Sequence, residues 1–475
     1  MVFSDPIFVF FYLPTVLALY LVTPSRFRNL LIVLCGSIFY VWEGKQLIFL
    51  LLSTILVNYV AGEFVQPGRL SPKRSRRILK VTIAADILSL GFWKYFGFGI
   101  NVIGDVVHLF GVHLRWQPEI LLPIGISFFT FQCISYLVDV YRGTSLHAET
   151  ATSFAAYILL FPHLIAGPIV RFSDIKSELD LPSSNRLIDL QLGLARFLWG
   201  LGKKVLIADQ VAIISNRVFD LPLNELTYTS AWVGAGAYAI QIYYDFSGYS
   251  DMAIGLARVL GFQFKENFDR PYASVSITEF WRKWHISLSN WFRDYVYIPL
   301  GGNRRSNSRT YINLSLVFLL TGLWHGANLT FIFWGLYHGL LLIIERLVGY
   351  RASQFRQIQR LQGILTFVLV VIGWVFFRSE SLGQAIHFLT TMFNFHGPSI
   401  PIRVRELLTS QRLTWMLIAL MPILFGLRKS VGSMISERHT RHGICSRFLV
   451  FSLWGPLALI YCLSSEFSPF LYFKF

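Results

Sequence analysis

The chain has 475 residues, 54% hydrophobic and only 14% charged, against roughly 25% charged in a soluble domain. The deficit runs along the whole length, which excludes a soluble domain with one anchor and marks an integral membrane protein. The formal charge of +16 sits mostly in loops, as the positive-inside rule predicts, so it reports topology and not nucleic-acid binding.

Apolar segments of about 18 or more residues recur throughout, long enough to cross a bilayer core of roughly 30 Å. Closed barrels show brief alternating segments instead, so the spans are helical. Cys35, Cys133, Cys445 and Cys462 are far apart and form no CxxC. They read as small apolar residues, with neither a metal site nor a disulfide framework.

Taken in order, Ile7–Val22 is a first span, retained rather than cleaved, because no basic region precedes it and no small-residue cleavage site follows. Leu30–Trp42 and Leu47–Ala61 are the next spans. The densest basic loop, Arg69–Arg77, comes after them. Two spans separate it from Arg26 and Arg28, so both basic loops fall on the same side. If that side is cytoplasmic, the N-terminus lies outside. Ile78–Ile100 is the fourth span, 101–119 an outer loop, and Ile120–Val140 the fifth span. Residues 153–170 are apolar but hold Pro162, His163, Gly167 and Pro168, so a broken or re-entrant segment lining a cavity is expected.

Residues 173–192 read as polar and irregular, and Leu192–Ile207 as amphipathic, ending at Lys203-Lys204. Trp232–Leu260 starts as a span and then gains Asp245, Ser247, Ser250 and Asp251. Residues 274–300 are the most polar long stretch within the core. Tyr311–Leu323, Leu329–Leu347, Leu361–Phe377, Leu413–Leu427 and Phe448–Leu463 complete the spans, with a basic stretch at Arg428–Arg447. The expectation is one all-α transmembrane domain over 1–475, of about ten to twelve helices plus broken segments, with its core at about 120–380.

Three stretches can carry chemistry. In Gly322-Leu323-Trp324-His325-Gly326-Ala327-Asn328 a titratable imidazole lies between two apolar runs. An ionisable group at membrane depth is costly and marks a functional site by default. Small residues around His325 let a helix or ligand approach, Trp324 and Trp334 wall it, and an imidazole can take a proton from a hydroxyl. His338 reads as a packing or orienting histidine. In Glu279 to Ser289, Trp281 and Trp284 alternate with Arg282, Lys283 and His285. Two readings fit: an interfacial helix, or the lining of a polar tunnel that attracts an anionic donor. Glu279, Arg282 and His285 stand three residues apart, so one helix would carry them on one side. In Gln241 to Asp251, two carboxylates and several hydroxyls lie in an apolar surround. They form a packing network, or Asp245 or Asp251 orients a histidine or pairs with Arg258 or Arg282. Walker, GxGxxG, HExxH and GxSxG signatures are absent, which removes nucleotide hydrolysis, metalloprotease and serine-hydrolase readings.

An ordered set of stretches resembles the membrane-bound O-acyltransferase superfamily, in its bacterial polysaccharide branch of alginate O-acetyltransferase membrane subunits. The set includes Pro123 to Gln132, Phe161 to Arg171, Tyr244 to Ala253, Glu266-Asn267-Phe268 through Pro271-Tyr272, Ser276 to Ser289, Tyr297 to Asn303, Leu320 to Ala327 and Trp374 to Arg378. The resemblance implies a catalytic His325 in its Trp-His-Gly context and a second characteristic histidine at His285. It implies a central tunnel in a bacterial inner membrane, with cytoplasmic acetyl-CoA as donor and no bound cofactor or metal. It further implies that an extracytoplasmic hydrolase-like acyltransferase partner receives the acetyl group for O-acetylation of an alginate-like or cellulose-like exopolysaccharide. On this reading His325 is general base, His285 holds or polarises the acyl carbonyl or orients the donor, Asp245 orients one of the two, and Trp281, Arg282, Trp284, Trp324 and Asn328 support or line the site. The aromatic C-terminal tail resembles that of the same branch, and Tyr472 is either an interface anchor, a partner contact or an acyl relay. Lys265 and Leu329 depart from the family's common Pro and Trp, which bears on pocket lining and acyl preference. D-alanyl transfer by the same fold is the nearest rival, and a polysaccharide-precursor transporter the rival of another class.

Overall fold

The computed structural model describes residues 2–108, 121–180, 186–395, 399–424, 429–464 and 470–471, without the side chains at 101, 102, 105, 106, 423 and 424. Among the described residues every regular element is helical. Those from 7 to 190 with 257–265 form one compact unit, and 2–6, 191–256 and 266–475 form another. Among the described residues, four stretches are long and apolar enough to cross a bilayer: Ser25–Val65, Leu329–Leu347, Arg356–Arg378 and Arg441–Ser464, with Phe8–Val22 a shorter apolar helix. The protein is an all-α polytopic membrane protein.

The first unit holds α1 (Leu13–Val22), α2 (Arg28–Gly44), α3 (Ile48–Val65), α4 (Pro72–His108), α5 (Ile126–Arg142), α6 (Ala151–Ile158), α7 (Phe161–Leu164) and α8 (Phe172–Asp180). The basic stretch expected as a loop is helical from Pro72 onward, because proline favours the first turn of a helix. The 153–170 segment is broken as expected: α6 stops at Ile158, and α7 restarts with Pro162 in its first turn. His163 is fully buried there, its Nε2 2.7 Å from the Tyr157 carbonyl and its ring stacked on Phe264. The stretch read as irregular contains α8. Its buried Phe172, Ile175 and Leu179 recur at helical spacing, an apolar face thinned by Asp174, Lys176 and Glu178 between them. Most of the expected outer loop, 109–119, lies outside the described residues.

The second unit begins within α9 (Arg186–Gly202) and continues with a π-helical stretch, Lys203–Ala208, then α10 (Asp209–Phe219) and α11 (Tyr228–Val259). After two short helices, α12 (Ile277–Lys283) and α13 (Ile286–Phe292), come α14 (Asn307–His325), α15 (Leu329–Leu347), α16 (Arg356–Arg378) and α17 (Leu382–Phe393). The chain closes with α18 (Ile402–Arg405), α19 (Ser410–Leu424), α20 (Val431–Ile435), α21 (Arg441–Leu449) and α22 (Gly455–Ser464).

The α14–α15 hairpin is the scaffold of the site. A β-carbon at Gly322 would stand 2.3 Å from the Phe331 carbonyl oxygen, and one at Gly335 would stand 2.2 Å from that of Phe318. Neither backbone can yield without parting the helices, so only glycine permits this approach. Replacing Gly335 by Ala is expected to destabilise the protein by about 3 kcal/mol, the upper range for overpacking. Thermal unfolding of the detergent-purified variant measures this, and an unshifted midpoint refutes it.

The buried charges pair differently from expectation. Lys203 and Lys204 are buried, not solvated at a helix end. Lys204 Nζ lies 2.8 Å from Asp209 and 2.7 Å from Asp245, and Lys203 Nζ lies 2.7 Å from Asp251. Arg196 joins Asp251 and Glu266 through its guanidinium, with 2.6 Å contacts to each, and donates to Ser436 Oγ at 3.1 Å. Asp245 and Asp251 therefore pair with the α9 segment and its π-helical extension, not with Arg258, Arg282 or a histidine. The reason is packing: Gly200 and Gly248 carry no side chains and bring that segment against α11, within reach of each other's backbone. Paired in this way, charges become tolerable at depth.

Candidate active site

His325 is the last residue of α14, and Gly326 continues in extended conformation. Its imidazole is buried within aromatic walls: ring centroids of Trp324, Trp334 and Phe377 lie 4.9, 4.9 and 5.0 Å away. Three different helices supply those rings, so the ring is oriented by packing and not by its own helix alone. Asn328 caps α15, its Oδ1 accepting from the Thr330 N–H at 3.1 Å while its Nδ2 donates to the Glu380 carbonyl at 2.9 Å. It sets the turn after His325.

His285 does not share a helix face with Glu279 and Arg282. Helix α12 ends at Lys283, Trp284 is extended, and His285 adopts φ 42°, ψ 55°, the left-handed region. For a residue with a β-carbon this conformation costs about 1–3 kcal/mol and persists where surrounding contacts impose it. Those contacts come from the 266–269 segment. The Ile286 N–H donates to the Asn267 carbonyl at 2.9 Å, and the Asp269 N–H to the Lys283 carbonyl at 3.0 Å. His285 Nδ1 lies 3.2 Å from Asn267 Oδ1. Its ring packs edge-on to Phe246 at 4.7 Å and lies 6.0 Å from Trp324. Phe246, not Asp245, thus faces His285. Asp245 is held by Lys204 and by the Leu471 N–H, which donates to its Oδ2 at 2.9 Å. His285 lies outside the membrane-spanning segments, and burial pushes its imidazole down to about 3, which keeps it neutral.

Trp324 connects the two histidines. With centroid distances of 6.0 Å to His285 and 4.9 Å to His325, the two imidazoles lie within about 11 Å of one another, on one indole. Trp281 and Trp284 are on the supporting side. Trp281 Nε1 donates to His338 Nδ1 at 3.4 Å and its ring meets Trp334 at 5.7 Å, while Trp284 packs on Phe268 and Trp374. His338 is fully buried in this packing.

A cavity of about 740 Å³ opens beside Trp281, lined also by Arg282, Arg293, Arg346, Tyr297, Phe318 and Thr321. Its size suits a small-molecule ligand. Three guanidiniums stand in its wall against the single carboxylate of Glu345, and Glu345 is engaged with the Thr278 N–H and hydroxyl at 2.9 and 2.7 Å. Arg293 is paired with Asp294 at 2.7 Å, so the wall's attraction for an anion rests mainly on Arg282 and Arg346. Trp281 touches Trp334, and Trp334 touches His325, so two ring contacts lead from the cavity wall to the imidazole. Leu329 is half exposed and Lys265 is exposed and ion-paired with Asp174, so neither departure from the family pattern belongs to this wall. Tyr472 lies outside the described residues.

Among the expected residues, the structure brings His325, Trp324, His285, Trp281 and Trp284 into one aromatic cluster, puts Arg282 in the adjoining cavity wall, and leaves Asp245 on the α9 side. Asn267 was missed as a site residue. Its only sequence signal was membership of the Glu266-Asn267-Phe268 stretch.

The family model for MBOAT, the membrane-bound O-acyltransferase family, matches residues 150–383, the stretch that contains both histidines. The chain is 44% identical to the Probable alginate O-acetylase AlgI of Pseudomonas aeruginosa, over 90% of this chain and 82% of that protein. It is 42% identical to the protein of the same name from Pseudomonas putida over the full length of both. It is 33% identical to the Peptidoglycan O-acetyltransferase of Helicobacter pylori, over 84% of this chain and 81% of that protein. Helical architecture, a buried histidine pair and these matches together make the chain a member of the membrane-bound O-acyltransferase family, and an O-acyltransferase.

Proposed function

We propose that this O-acyltransferase takes an acetyl group from acetyl-CoA on the cytoplasmic side and delivers it for O-acetylation of an exopolysaccharide, through an extracytoplasmic partner acyltransferase. The observation that carries the reading is the juxtaposition of an arginine-lined cavity with the His325–Trp324–His285 cluster. Acetyl-CoA bears phosphates, and guanidiniums bind phosphate bidentately. The thioester end is small enough to pass toward the aromatic cluster while the phosphates stay among Arg282, Arg293 and Arg346.

His325 acts as general base. It takes the proton of an acceptor hydroxyl as the oxygen attacks the thioester carbonyl; the C–S bond breaks and the proton passes to the leaving thiolate. Aromatic walls exclude bulk water, which limits hydrolysis of the donor. Holding both substrates on one indole lowers the entropic part of the barrier. The basic stretches at Arg26–Arg28 and Arg69–Arg77 support cytoplasmic loops and an external N-terminus. Names of relatives that act on alginate and on peptidoglycan support a polysaccharide acceptor.

The test is acetyl-CoA turnover by the full chain purified into lipid nanodiscs, with mass spectrometry of polymer from cells with and without the protein. Release of CoA and a polymer gain of acetyl groups are expected. No thiol release, or a polymer carrying alanyl groups, overturns the acetyl reading. Arg282→Ala and Arg293→Ala are each expected to raise KM for acetyl-CoA about tenfold, the loss of one charge-assisted hydrogen bond. An unchanged KM in both places the phosphates elsewhere.

A further inference from the structure

We propose that Asn267 is the positioning residue of this site. It fixes His285 in the tautomer that carries its proton on Nδ1, so that Nε2 faces the reaction space as a proton acceptor. The inference deepens the acyl-transfer reading and rests on it for the identity of the proton donor.

Asn267 is fully buried. Its Oδ1 lies 3.2 Å from the Ser287 N–H, 2.9 Å from the Ser287 hydroxyl and 3.2 Å from His285 Nδ1. A backbone N–H only donates, so the atom facing it must be the amide oxygen. The amide nitrogen then points the other way, where it donates to Ser250 Oγ at 3.1 Å. Both ends of the amide agree, and the orientation is determined by the hydrogen-bond network. Since Oδ1 only accepts, His285 Nδ1 must be the protonated nitrogen. In a neutral imidazole the other nitrogen is then an acceptor.

Asn267 is itself anchored. Glu266, beside it, takes a two-pronged contact from Arg196, with Nη2–Oε2 at 2.6 Å and Nη1–Oε1 at 3.0 Å. The Asn267 carbonyl holds the Ile286 N–H, which fixes the backbone immediately after the left-handed His285. One residue therefore sets both the backbone turn and the proton position of the second histidine.

On this proposal His285 does not polarise the acyl carbonyl through Nε2, and orienting the donor is the expected role compatible with it. A neutral imidazole with its lone pair on Nε2 cannot donate a hydrogen bond from that atom. At Nε2 it can accept a hydrogen bond from a hydroxyl or thiol and take the proton as the transition state forms. The neutral amide of Asn267, unlike a carboxylate, does not hold the resulting imidazolium, so the proton is readily passed on. Phe246 of α11, Phe268, Ser287 of α13 and Trp324 of α14 pack on the ring without charge, and His325 is the titratable group on Trp324's other contact.

The test combines a direct reading of the tautomer with kinetics. Full-length protein labelled with ¹⁵N-histidine is examined in detergent by two-bond ¹H–¹⁵N correlation, with His285 assigned by its loss in H285Q. Wild-type His285 is expected in the Nδ1–H form. Asn267→Leu is expected to shift it toward Nε2–H and to lower kcat at least tenfold with KM for the donor unchanged. Asn267→Asp keeps the accepting oxygen but adds a charge, so it should keep the Nδ1–H form and raise the His285 titration midpoint by about 1–3 units. The acid limb of its pH–rate profile should move up with it. If Asn267→Leu fails to fold, the Asn267→Asp measurements still decide. A wild-type His285 in the Nε2–H form overturns the proposal, as does an Asn267→Asp profile that superimposes on wild type. An Nδ1–H histidine in a wild-type protein that releases no CoA overturns the acetyl-CoA reading instead, and leaves the positioning assignment standing.

Discussion

His325→Ala is expected to abolish polymer acetylation while the protein still inserts and accumulates. General-base proton removal contributes about 10²–10⁴ in rate. Truncation to alanine also opens space between Trp324, Trp334 and Phe377, whose centroids lie within about 5 Å of the imidazole. His325→Gln is therefore the companion variant: it fills much of that space and can hydrogen-bond, yet cannot act as a base near neutral pH. Equal loss in both variants, with unchanged membrane yield, assigns the defect to proton transfer. Acetylation by either variant at the wild-type rate would remove His325 from the reaction.

Arg196→Met is expected to lower stability by about 3–5 kcal/mol, the cost of leaving one side of a buried ion network without its partner. Methionine matches the aliphatic stem, but Asp251 then retains only Lys203, and Glu266 loses both of its guanidinium contacts. Adding Glu266→Gln restores charge balance in the cluster and should recover part of the loss. The effect should reach the chemistry as well, because Glu266 anchors the segment that carries Asn267. The double variant is thus expected to fold better than Arg196→Met while remaining slower than wild type. Thermal unfolding in detergent and acetyl-CoA turnover measure the two effects. An unshifted unfolding midpoint for Arg196→Met would mean that the network is not needed for stability.

Membrane class, helical architecture and the boundaries of α2 and α3 were legible in the chain because hydropathy is local: each span carries its own solvent requirement in its own residues. The break at 159–160 was equally legible, from Pro162. His325 stood out as well, since an imidazole between two apolar runs is expensive wherever they fold, and the structure buries it among aromatic rings. The α8 helix was obscured by charges between its apolar positions. The basic stretch from Pro72 was misplaced because charge marks a side of the membrane, not the end of a helix.

What the residues determine locally is therefore the kind of protein, its spans and the position of one costly side chain. Tertiary structure alone decides which groups meet. The partner of Arg196 lies 55 residues away at Asp251, and that of Lys204 lies 41 residues away at Asp245. Helical spacing put His285 on a face with Arg282; the contacts of Asn267, 18 residues earlier, turn its backbone out of the helix instead. Periodicity describes a helix that continues, and only a partner from elsewhere in the chain supplies the hydrogen bonds that make it stop. The proposed base consequently lies in a motif that can be read along the chain, and the proposed orientation of the second histidine depends on an asparagine that cannot.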